Sequence, residues 1–329
     1  MKDIIFNELK KILPGVQKNV SLKNYTTFKI GGPAKYFFVA KEKEDLVKAA
    51  KTAKELNLAI FILGGGSNIL ASDKGFKGLV VKMHNLKIET KAPIFKKIGA
   101  LVYAEAGVKL SNLVMLAAEN GFSGMEWAAG IPGTIGGAIY GNSQAFGTKM
   151  SELIKDVEVL NLKNIKIKKW FSKEKCEFSL KNSIFKKNKN LAIISAVLEF
   201  KKKPADQVKN QIKEFLDYRK AKHPSLSSAG SVFINPEKEI TNKKLLDKFP
   251  ELNEFNKKEA IPVGYLIEKA GLKGKKIGQA QISEKHANFI INLGGAKAKD
   301  VLKLMTMARG KVKKTFGIDL EQEVQFVGF

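Results

Sequence analysis

Two glycine-rich stretches contain residues that could do chemistry. GGGSN (64–68) directly follows the apolar run AIFIL, and GMEWAAGIPGTIGGAIYGN (124–142) holds six glycines in nineteen residues. Glycine lets a backbone turn tightly and present its N–H groups to an anion, so either stretch could cradle a phosphate. The first is equally compatible with a plain tight turn, whereas the glycine density of the second favours a ligand close to the main chain. Neither fits the two common nucleotide fingerprints, and together they predict one extended cofactor such as a dinucleotide.

Two polar side chains in the last third of the chain are candidates for proton chemistry. Ser231 lies in SSAGSVFINP (227–236) and Glu323 in the terminal LEQEVQFVGF. A serine hydroxyl donates a proton only when neighbours polarise it and water is excluded, and otherwise it is simply a turn residue. No G-x-S-x-G elbow surrounds it, so the sequence does not favour a nucleophile. On a strand read from Leu320, Glu321 and Glu323 would share one face, and an exposed, inert carboxylate is the alternative.

Composition limits the classes of function. The 329 residues are 44% hydrophobic, which suits two or three domains with real cores. The net charge of +26 comes mainly from lysines spread along the chain, so we expect no nucleic-acid partner, only steering of anionic small substrates. No apolar run approaches the roughly 20 residues of a bilayer span, so no membrane contact is expected. A lone Cys176 and no secretion signal predict a reducing cytoplasm.

The elements that must position these residues mix strand and helix signals. We predict an amphipathic N-terminal helix with Ile4, Ile5, Leu9 and Ile12 near one face. The remaining predicted helices are 42–57, 109–121, 205–222, 261–271 and 298–317, and the predicted strands are 35–40, 59–68, 78–83, 85–89, 101–107, 155–162, 191–200, 286–295 and 320–329. This order favours an α+β fold over a doubly wound sheet. A second region is expected to begin at 204, and 237–260 is expected to be a solvated surface insertion.

Six motifs in one order resemble those of the UDP-N-acetylenolpyruvoylglucosamine reductase family. They are NYTTFKIGGPAKYFF, ILGGGSNIL, GMEWAAGIPGTIGGAIYGN, SAGSVFINP, AGLKGKKIGQAQISEKHANFIIN and LEQEVQFVG, and they cover almost the whole chain. The resemblance implies a vanillyl-alcohol-oxidase/PCMH-like FAD-binding domain at 1–203, with two subdomains at about 1–83 and 84–203. A smaller α+β substrate-binding domain would occupy 204–329, with its last strand returning toward the flavin. Non-covalent FAD is expected, since His84, His223 and His286 all lie outside the glycine loops.

The resemblance also implies the reaction. Such an enzyme would be a UDP-N-acetylmuramate dehydrogenase of peptidoglycan and cell-wall synthesis, with NADPH as hydride donor. Its substrate is UDP-N-acetylglucosamine enolpyruvate, which receives a hydride from the flavin N5. Ser231 matches the proton donor and Glu323 the carboxylate beside the enolate. The family pattern F-x-Y-R-x-S-x-F-K appears here as FSLKNSIFK (178–186), so Lys181 stands where an arginine is expected. Lysine keeps the charge and loses the planar fork, which predicts a slower or differently tuned site unless Arg219 takes over.

The remaining implied site residues fall into two groups. The residues matched to the cofactor are Thr26, Thr27, Gly31, Gly32, Gly64, Gly65, Gly66, Ser67, Asn68, Gly130, Ile131, Pro132, Gly133, Thr134, Gly136, Gly137 and Ala138. The residues matched to the substrate are Arg219, Lys222, Asn235, Lys273 and His286. Lys273 could instead be a solvated surface lysine without a function. His286 could instead be a structural histidine. Only 37 residues separate Lys181 from Arg219, so the chain resembles the type without an inserted tyrosine loop.

Two other functions remain open. One is a different FAD-dependent oxidoreductase of the same superfamily, which would act on another small substrate and produce hydrogen peroxide without NADPH. The other is a binding protein that uses its charge on nucleic acid or an anionic surface. A cytoplasmic monomer without a metal is expected in the leading interpretation.

Overall fold

The computed structural model describes residues 3–91, 99–258 and 260–329. Its helices are α1 Ile4–Ile12, α2 Lys43–Glu55, α3 Leu110–Asn120, α4 Ile135–Tyr140, α5 Ile184–Lys187, α6 Ala205–Lys222, α7 Lys243–Lys248, α8 Glu251–Asn256, α9 Val263–Lys269 and α10 Ala298–Phe316. Its strands are β1 Gln17–Ser21, β2 Pro33–Ala40, β3 Ile60–Leu63, β4 Ile69–Ala71, β5 Phe76–Met83, β6 Ile88–Lys91, β7 Ala100–Glu105, β8 Phe122–Ser123, β9 Gln144–Ala145, β10 Thr148–Lys149, β11 Ile154–Asn161, β12 Lys166–Ser172, β13 Leu191–Lys202, β14 Ser228–Ser231, β15 Lys276–Ile277, β16 Ala280–Ile282, β17 Phe289–Asn292 and β18 Gln325–Val327.

The chain forms two compact units. Unit 1 comprises residues 1–20, 34–66 and 76–221, and unit 2 comprises 21–33, 67–75 and 222–329. Helix α6 belongs to unit 1, and two short N-terminal segments join unit 2. The reason is non-local packing: Phe28, Ile30 and Leu70 are buried in the core of unit 2. Sequence order alone does not show such a pairing.

Unit 1 contains two larger sheets on one hydrophobic core, in addition to the short pair of β9 and β10. The first has strand order β1-β2-β5-β3, in which β2, β5 and β3 run parallel. The second has order β12-β11-β13-β7-β6 with antiparallel pairs, and β8 pairs with one end of β13. Helix α3 ends at Gly121 in the left-handed conformation, as its C-cap position predicted. The mixed sheets confirm the α+β class.

The N-terminal helix exists, and its buried face matches the predicted one only in part. Ile4 is 74% and Ile12 42% exposed, whereas Leu9 and Leu13 are buried in the core of unit 1. Asp3 caps the helix by accepting from the Phe6 N–H at 3.1 Å. Ile5 is half-buried and packs against the same core, so the buried side of the helix includes Ile5 and Leu9 and leaves Ile4 and Ile12 outside.

Unit 2 packs helices against a small antiparallel sheet. Its strand order is β14-β17-β16-β15, and β18 pairs parallel with β4. Helix α10 buries Val301, Leu304, Ala308 and Val312, which recur at helical spacing. The 237–260 stretch is not merely a solvated insertion, because it forms α7 and α8 and buries Phe249 and Leu252 in the core. None of the described helices has the length and apolar character that a bilayer crossing requires.

Candidate active site

The first glycine loop leaves the carboxyl edge of a parallel sheet. Strand β3 ends at Leu63, which is paired with Lys82 of β5, and Gly64 follows at once. Among the described residues, no group accepts a hydrogen bond from the backbone N–H of Gly65, Gly66 or Ser67. Gly66 is buried and has a φ of +64°, a left-handed value that suits glycine. Consecutive N–H groups without acceptors form a concavity that suits an anion.

The second glycine loop touches the first. A Cβ on Gly65 would lie 2.6 Å from Gly133 Cα, and one on Gly64 would lie 2.7 Å from Thr134 Oγ1. Thr134 in turn caps α4, where its hydroxyl accepts from the Gly137 N–H at 3.4 Å. Side chains would force these loops apart, so the glycines explain how the two backbones approach each other within unit 1.

Arg219 of α6 reaches the same glycine-rich segment. Its guanidinium donates to the Trp127 carbonyl at 2.9 Å and lies 5.1 Å from the centre of the Phe146 ring. A Cβ on Gly130 would meet Arg219 Cδ at 3.1 Å. Arg219 Nε is buried, and within the described part of the chain it has no hydrogen-bond partner. Burial lowers the pKa of Arg219, yet a guanidinium stays charged, so this site holds a cation with an unused donor.

Lys181 lies in a tight turn attached to the end of α4. Ser179 and Asn182 exchange backbone hydrogen bonds at 3.1 and 3.2 Å around it, and Lys181 itself has a φ of +51°. Asn142 Nδ2 donates to the Ser179 carbonyl at 2.9 Å, and the buried Ser183 hydroxyl donates to the Tyr140 carbonyl at 2.7 Å. A left-handed conformation costs a non-glycine residue about 1 kcal/mol or more, and these bonds offset that cost. The turn therefore fixes the backbone of Lys181 in unit 1.

Glu323 and Ser231 are brought together in unit 2 by one antiparallel bridge. Gln322 pairs with Phe233 in this bridge. The Glu323 N–H donates to the Val232 backbone carbonyl at 2.9 Å, and the Ile234 N–H donates to the Glu321 backbone carbonyl at 2.9 Å. Glu323 is therefore paired with the residue that directly follows Ser231. The sequence alone did not predict this pairing.

The predicted strand from Leu320 is wrong in its first half. The regular strand begins only at Gln325, so Glu321 and Glu323 lie outside it, on either side of the isolated bridge residue Gln322. The chain first bridges to Phe233 and then pairs parallel with β4. Asn68 stabilises this change of partner, because its side-chain Nδ2 donates to the Glu323 backbone carbonyl at 3.3 Å and its backbone carbonyl accepts from the Gln325 N–H at 3.0 Å.

Ser231 is the last residue of β14 and lies opposite Phe289. Asn288 fixes the backbone two residues after Ser231. Its side chain accepts from the Phe233 N–H at 3.1 Å and donates to the Phe233 carbonyl at 2.9 Å. The Thr27 hydroxyl donates to the Ser228 carbonyl at 2.8 Å and so holds the start of the strand. No hydrogen bond to the Ser231 hydroxyl occurs within the described residues. The backbone is fixed on both sides, and the hydroxyl remains available to a ligand.

The residues predicted to bind substrate have different surroundings. Asn235 accepts from the Val263 N–H at 3.0 Å and so caps α9, and the exposed Lys273 pairs with Glu268 at 3.0 Å. Lys222 is exposed. The His286 ring packs against Phe289, with ring centres 4.8 Å apart, and burial lowers the pKa of this imidazole. His286 is therefore neutral near pH 7 and lies two residues from Asn288, beside the strand pair that holds Ser231.

Thr26, Gly31 and Gly32 have packing contacts in unit 2. The Thr26 hydroxyl donates to the Ile30 carbonyl at 3.1 Å. A Cβ on Gly31 would lie 2.8 Å from Ala71 Cβ, and one on Gly32 would collide with the Asp73 carbonyl. These contacts are sufficient to explain the glycine pair, and a cofactor contact for these residues stays a prediction.

Asn288 is the positioning residue that sequence reasoning missed. It is 2% exposed and lies next to an apolar strand, in HANFIIN. An amide flanking a buried strand is a signal, because a buried amide needs partners and so marks backbone that it must hold.

The observed groups fit FAD. The free N–H groups of Gly65, Gly66 and Ser67 suit its diphosphate, and the buried Asn68 Oδ1, which has no donor among the described residues, suits an N–H or hydroxyl of a ligand. A family model for an FAD-binding domain matches residues 34–164, which include both glycine loops. Fold and site together define a flavoprotein with the vanillyl-alcohol-oxidase-like architecture.

The match to known proteins extends over the full chain. The family model for the C-terminal domain of UDP-N-acetylenolpyruvoylglucosamine reductase matches residues 222–327. The reductase of Caldicellulosiruptor bescii is 40% identical over 94% of this chain and 90% of its own length, and that of Bacillus licheniformis is 35% identical over 99% of both. The crystal structure of the reductase from Thermus caldophilus matches with a TM-score of 0.72 and 29% identity, over 95% of this chain and 98% of its own. The chain belongs to the UDP-N-acetylenolpyruvoylglucosamine reductase family.

Proposed function

We propose that this chain is an NADPH-dependent flavoenzyme that reduces UDP-N-acetylglucosamine enolpyruvate to UDP-N-acetylmuramate for peptidoglycan synthesis. Full-length similarity to proteins named for this reaction supports the proposal. The structural observation that carries it is the bridge between Gln322 and Phe233, because it brings Glu323 next to the residue after Ser231. Reduction of an enol ether needs a proton donor, for which Ser231 is the candidate, and a polar group beside the enolate, for which Glu323 is the candidate.

The protein's own groups divide the work. Bound FAD supplies hydride transfer, from NADPH to the β-carbon of the enol ether. The N–H groups of Gly65, Gly66 and Ser67 would hold its diphosphate, and the Gly130–Ala138 backbone would lie along the flavin. Ser231 donates its hydroxyl proton to the α-carbon of the substrate. Glu323, fixed through its backbone by Val232 and Asn68, stabilises the reacting end of the substrate.

Cationic and neutral hydrogen-bonding side chains would bind the rest of the substrate. Arg219, Lys222 and Lys273 are cations suited to its diphosphate or carboxylate, and Asn235 and His286 offer neutral hydrogen-bonding groups. For Lys273 this role requires exchange of its Glu268 partner for a ligand oxygen. Lys181 keeps the positive charge of the family arginine without its fork, so orientation of the substrate by Lys181 is looser.

We further propose a cytoplasmic monomer without a nucleic-acid or membrane partner. The single Cys176 suits a reducing compartment, and the lysine excess is distributed along the chain. The domain division near residue 203, with the last strand returning toward the flavin, belongs to the same proposal.

One assay tests the proposed function. Purified protein carrying FAD is mixed with NADPH, with and without UDP-N-acetylglucosamine enolpyruvate, and absorbance of NADPH is followed. We expect oxidation that depends on the substrate. The Lys181 substitution favours one competitor, an oxidase of the same superfamily, and hydrogen peroxide formation without substrate-dependent NADPH oxidation would support that competitor instead.

A further inference from the structure

Lys82 is a half-buried lysine at the carboxyl end of β5. In the parallel pairing of β3 and β5 it lies opposite Leu63, the residue from which the first glycine loop begins. Its ammonium group donates a hydrogen bond to the carbonyl of Gly64. Ligands of α/β sheets bind at the carboxyl ends of parallel strands, and Lys82 lies at that edge of the first sheet.

The charge of Lys82 has no counter-ion in the described part of the chain. Among the residues that the structure describes, no carboxylate lies within ion-pair distance of Lys82 or of Lys109, although other lysines are paired with carboxylates. Lys109 forms a backbone bridge with Thr134 of the second glycine loop, and it acts on Lys82 by repulsion. Burial and this repulsion both lower the pKa of Lys82. An unpaired cation removed from water is unfavourable unless a ligand supplies the negative charge.

We infer that Lys82 binds the diphosphate of FAD as the charged partner of the first glycine loop. By holding the Gly64 carbonyl, it orients the following peptide units so that the N–H groups of Gly65 and Gly66 face the ligand. By its charge, it adds a long-range attraction that backbone N–H groups lack. An ammonium is a point charge and suits a phosphate without the bidentate geometry that an arginine would impose.

This inference extends the cofactor site and does not depend on the roles of Ser231, Glu323 or Lys181. The alternative is a purely structural lysine that only closes the end of β3. The two differ in what the charge does: a ligand-binding lysine raises affinity for phosphates, whereas a structural lysine raises the stability of the FAD-free protein.

The test compares FAD-free wild-type protein with Lys82→Gln, Lys82→Met and, as matched control, Lys77→Met on the exposed part of the same strand. FAD and riboflavin, which has no phosphate, are titrated by quenching of flavin fluorescence at low and high salt. Glutamine can still donate to the Gly64 carbonyl but has no charge. Loss of one charge-assisted contact predicts about tenfold to hundredfold weaker FAD binding in both Lys82 variants, and a smaller salt dependence. Riboflavin binding and the Lys77→Met protein should be unchanged.

Thermal unfolding of the FAD-free proteins supplies the second measurement. We expect Lys82→Gln to unfold at the wild-type temperature or above it, because an unfavourable charge is removed, and to gain less stability on adding FAD. Unchanged FAD affinity in Lys82→Gln would overturn the inference. So would equal weakening of FAD and riboflavin, or a lower unfolding temperature with unchanged FAD affinity. Because no NADPH or enol ether is present, either result leaves the proposed reaction untouched.

Discussion

The two units carry two kinds of chemical site. In unit 1 the glycine loops act through their backbone, so what they require is the absence of a side chain: a Cβ on Gly65 would come within 2.6 Å of Gly133 Cα. In unit 2 Ser231 and Glu323 act through their side chains, and the backbone around them is fixed by Asn288, Thr27 and Asn68. The first kind of site tolerates no additional atoms, whereas the second fails when an atom is removed. Variants of the two units should therefore separate cofactor binding from substrate reduction.

The largest effect is expected from Ser231→Ala. Loss of a positioned proton donor costs about 10²- to 10⁴-fold, so oxidation of the reduced flavin by the enol ether should slow by that factor. Flavin reduction by NADPH should remain at the wild-type rate, since unit 1 is unchanged. Stopped-flow absorbance of the flavin measures both half-reactions, and Ser227→Ala in the same loop is the control. Normal rates in both half-reactions would show that Ser231 is not the acid.

Gly65→Ala should show the opposite pattern. The added methyl group must displace the Gly133 backbone, and strain of about 1–3 kcal/mol predicts roughly tenfold to hundredfold weaker FAD binding. Fully loaded protein should still complete the substrate half-reaction. Gly141→Ala is the matched control, since its methyl would meet its nearest neighbour, the Gly137 carbonyl, at 3.7 Å. Equal FAD affinity in both variants would contradict the close contact between the loops.

Asn288→Ala tests the support of the side-chain site. It leaves the N–H and carbonyl of buried Phe233 without partners, so the free energy of unfolding should fall by about 2–3 kcal/mol. The substrate half-reaction should slow while FAD affinity stays the same. Urea unfolding and FAD titration check this, with Asn253→Ala as a control that removes one exposed hydrogen bond. If FAD affinity fell as much as the rate of substrate reduction, the separation of cofactor binding in unit 1 from substrate reduction in unit 2 would be contradicted.

Lys181→Arg should have a modest effect of favourable sign. The planar fork restores an orienting contact worth about 1 kcal/mol, so turnover should stay the same or rise by less than about tenfold. Steady-state NADPH oxidation measures it, and Lys187→Arg is the control on an exposed, ion-paired lysine nearby. Complete loss of turnover would show that Lys181 has a role of its own.

The smallest effect concerns pH. Burial lowers the pKa of His286 below the 6.5 of an unfolded chain, so between these values the unfolded state binds more protons. The corresponding stability is present above pH 6.5 and is lost as the pH falls toward the lowered value. Urea unfolding at about pH 7.5 and about pH 5.5 should show a smaller acid-side loss for His286→Gln than for wild type. His84→Gln is the control in unit 1, and an unchanged acid-side loss in His286→Gln would exclude this contribution.

Local sequence patterns predict secondary-structure elements better than they predict which distant residues pair with one another. Periodicity predicts the longer elements of unit 1, such as α2, α3, β11 and β13, but not β12 or the short strands β8, β9 and β10. Gly121 is predicted as a C-cap because glycine adopts the left-handed conformation found there. The prediction of one strand from Leu320 is wrong because the bridge to Phe233 comes before the regular strand, and no residue pattern in LEQEVQFVG indicates that partner. Phe28, Ile30 and Leu70 join the second core through contacts that sequence order does not reveal. The glycine loops could be found from composition, whereas Asn288 and Lys82 act through side-chain hydrogen bonds to backbone groups elsewhere in the sequence.

The parallel pairing of Gln325 with Ile69 has a consequence for how the protein becomes active during synthesis. Asn68 and Glu323 are separated by 255 residues, so their hydrogen bond forms only after the chain has been translated well past the glycine loops. Contacts between such distant residues form late in folding because their loop-closure entropy is large. A nascent chain would thus fold unit 1, and with it the glycine loop for the FAD diphosphate, before Glu323 has been synthesised and has reached its place beside Asn68. Ribosome-bound chains should acquire flavin before they acquire turnover.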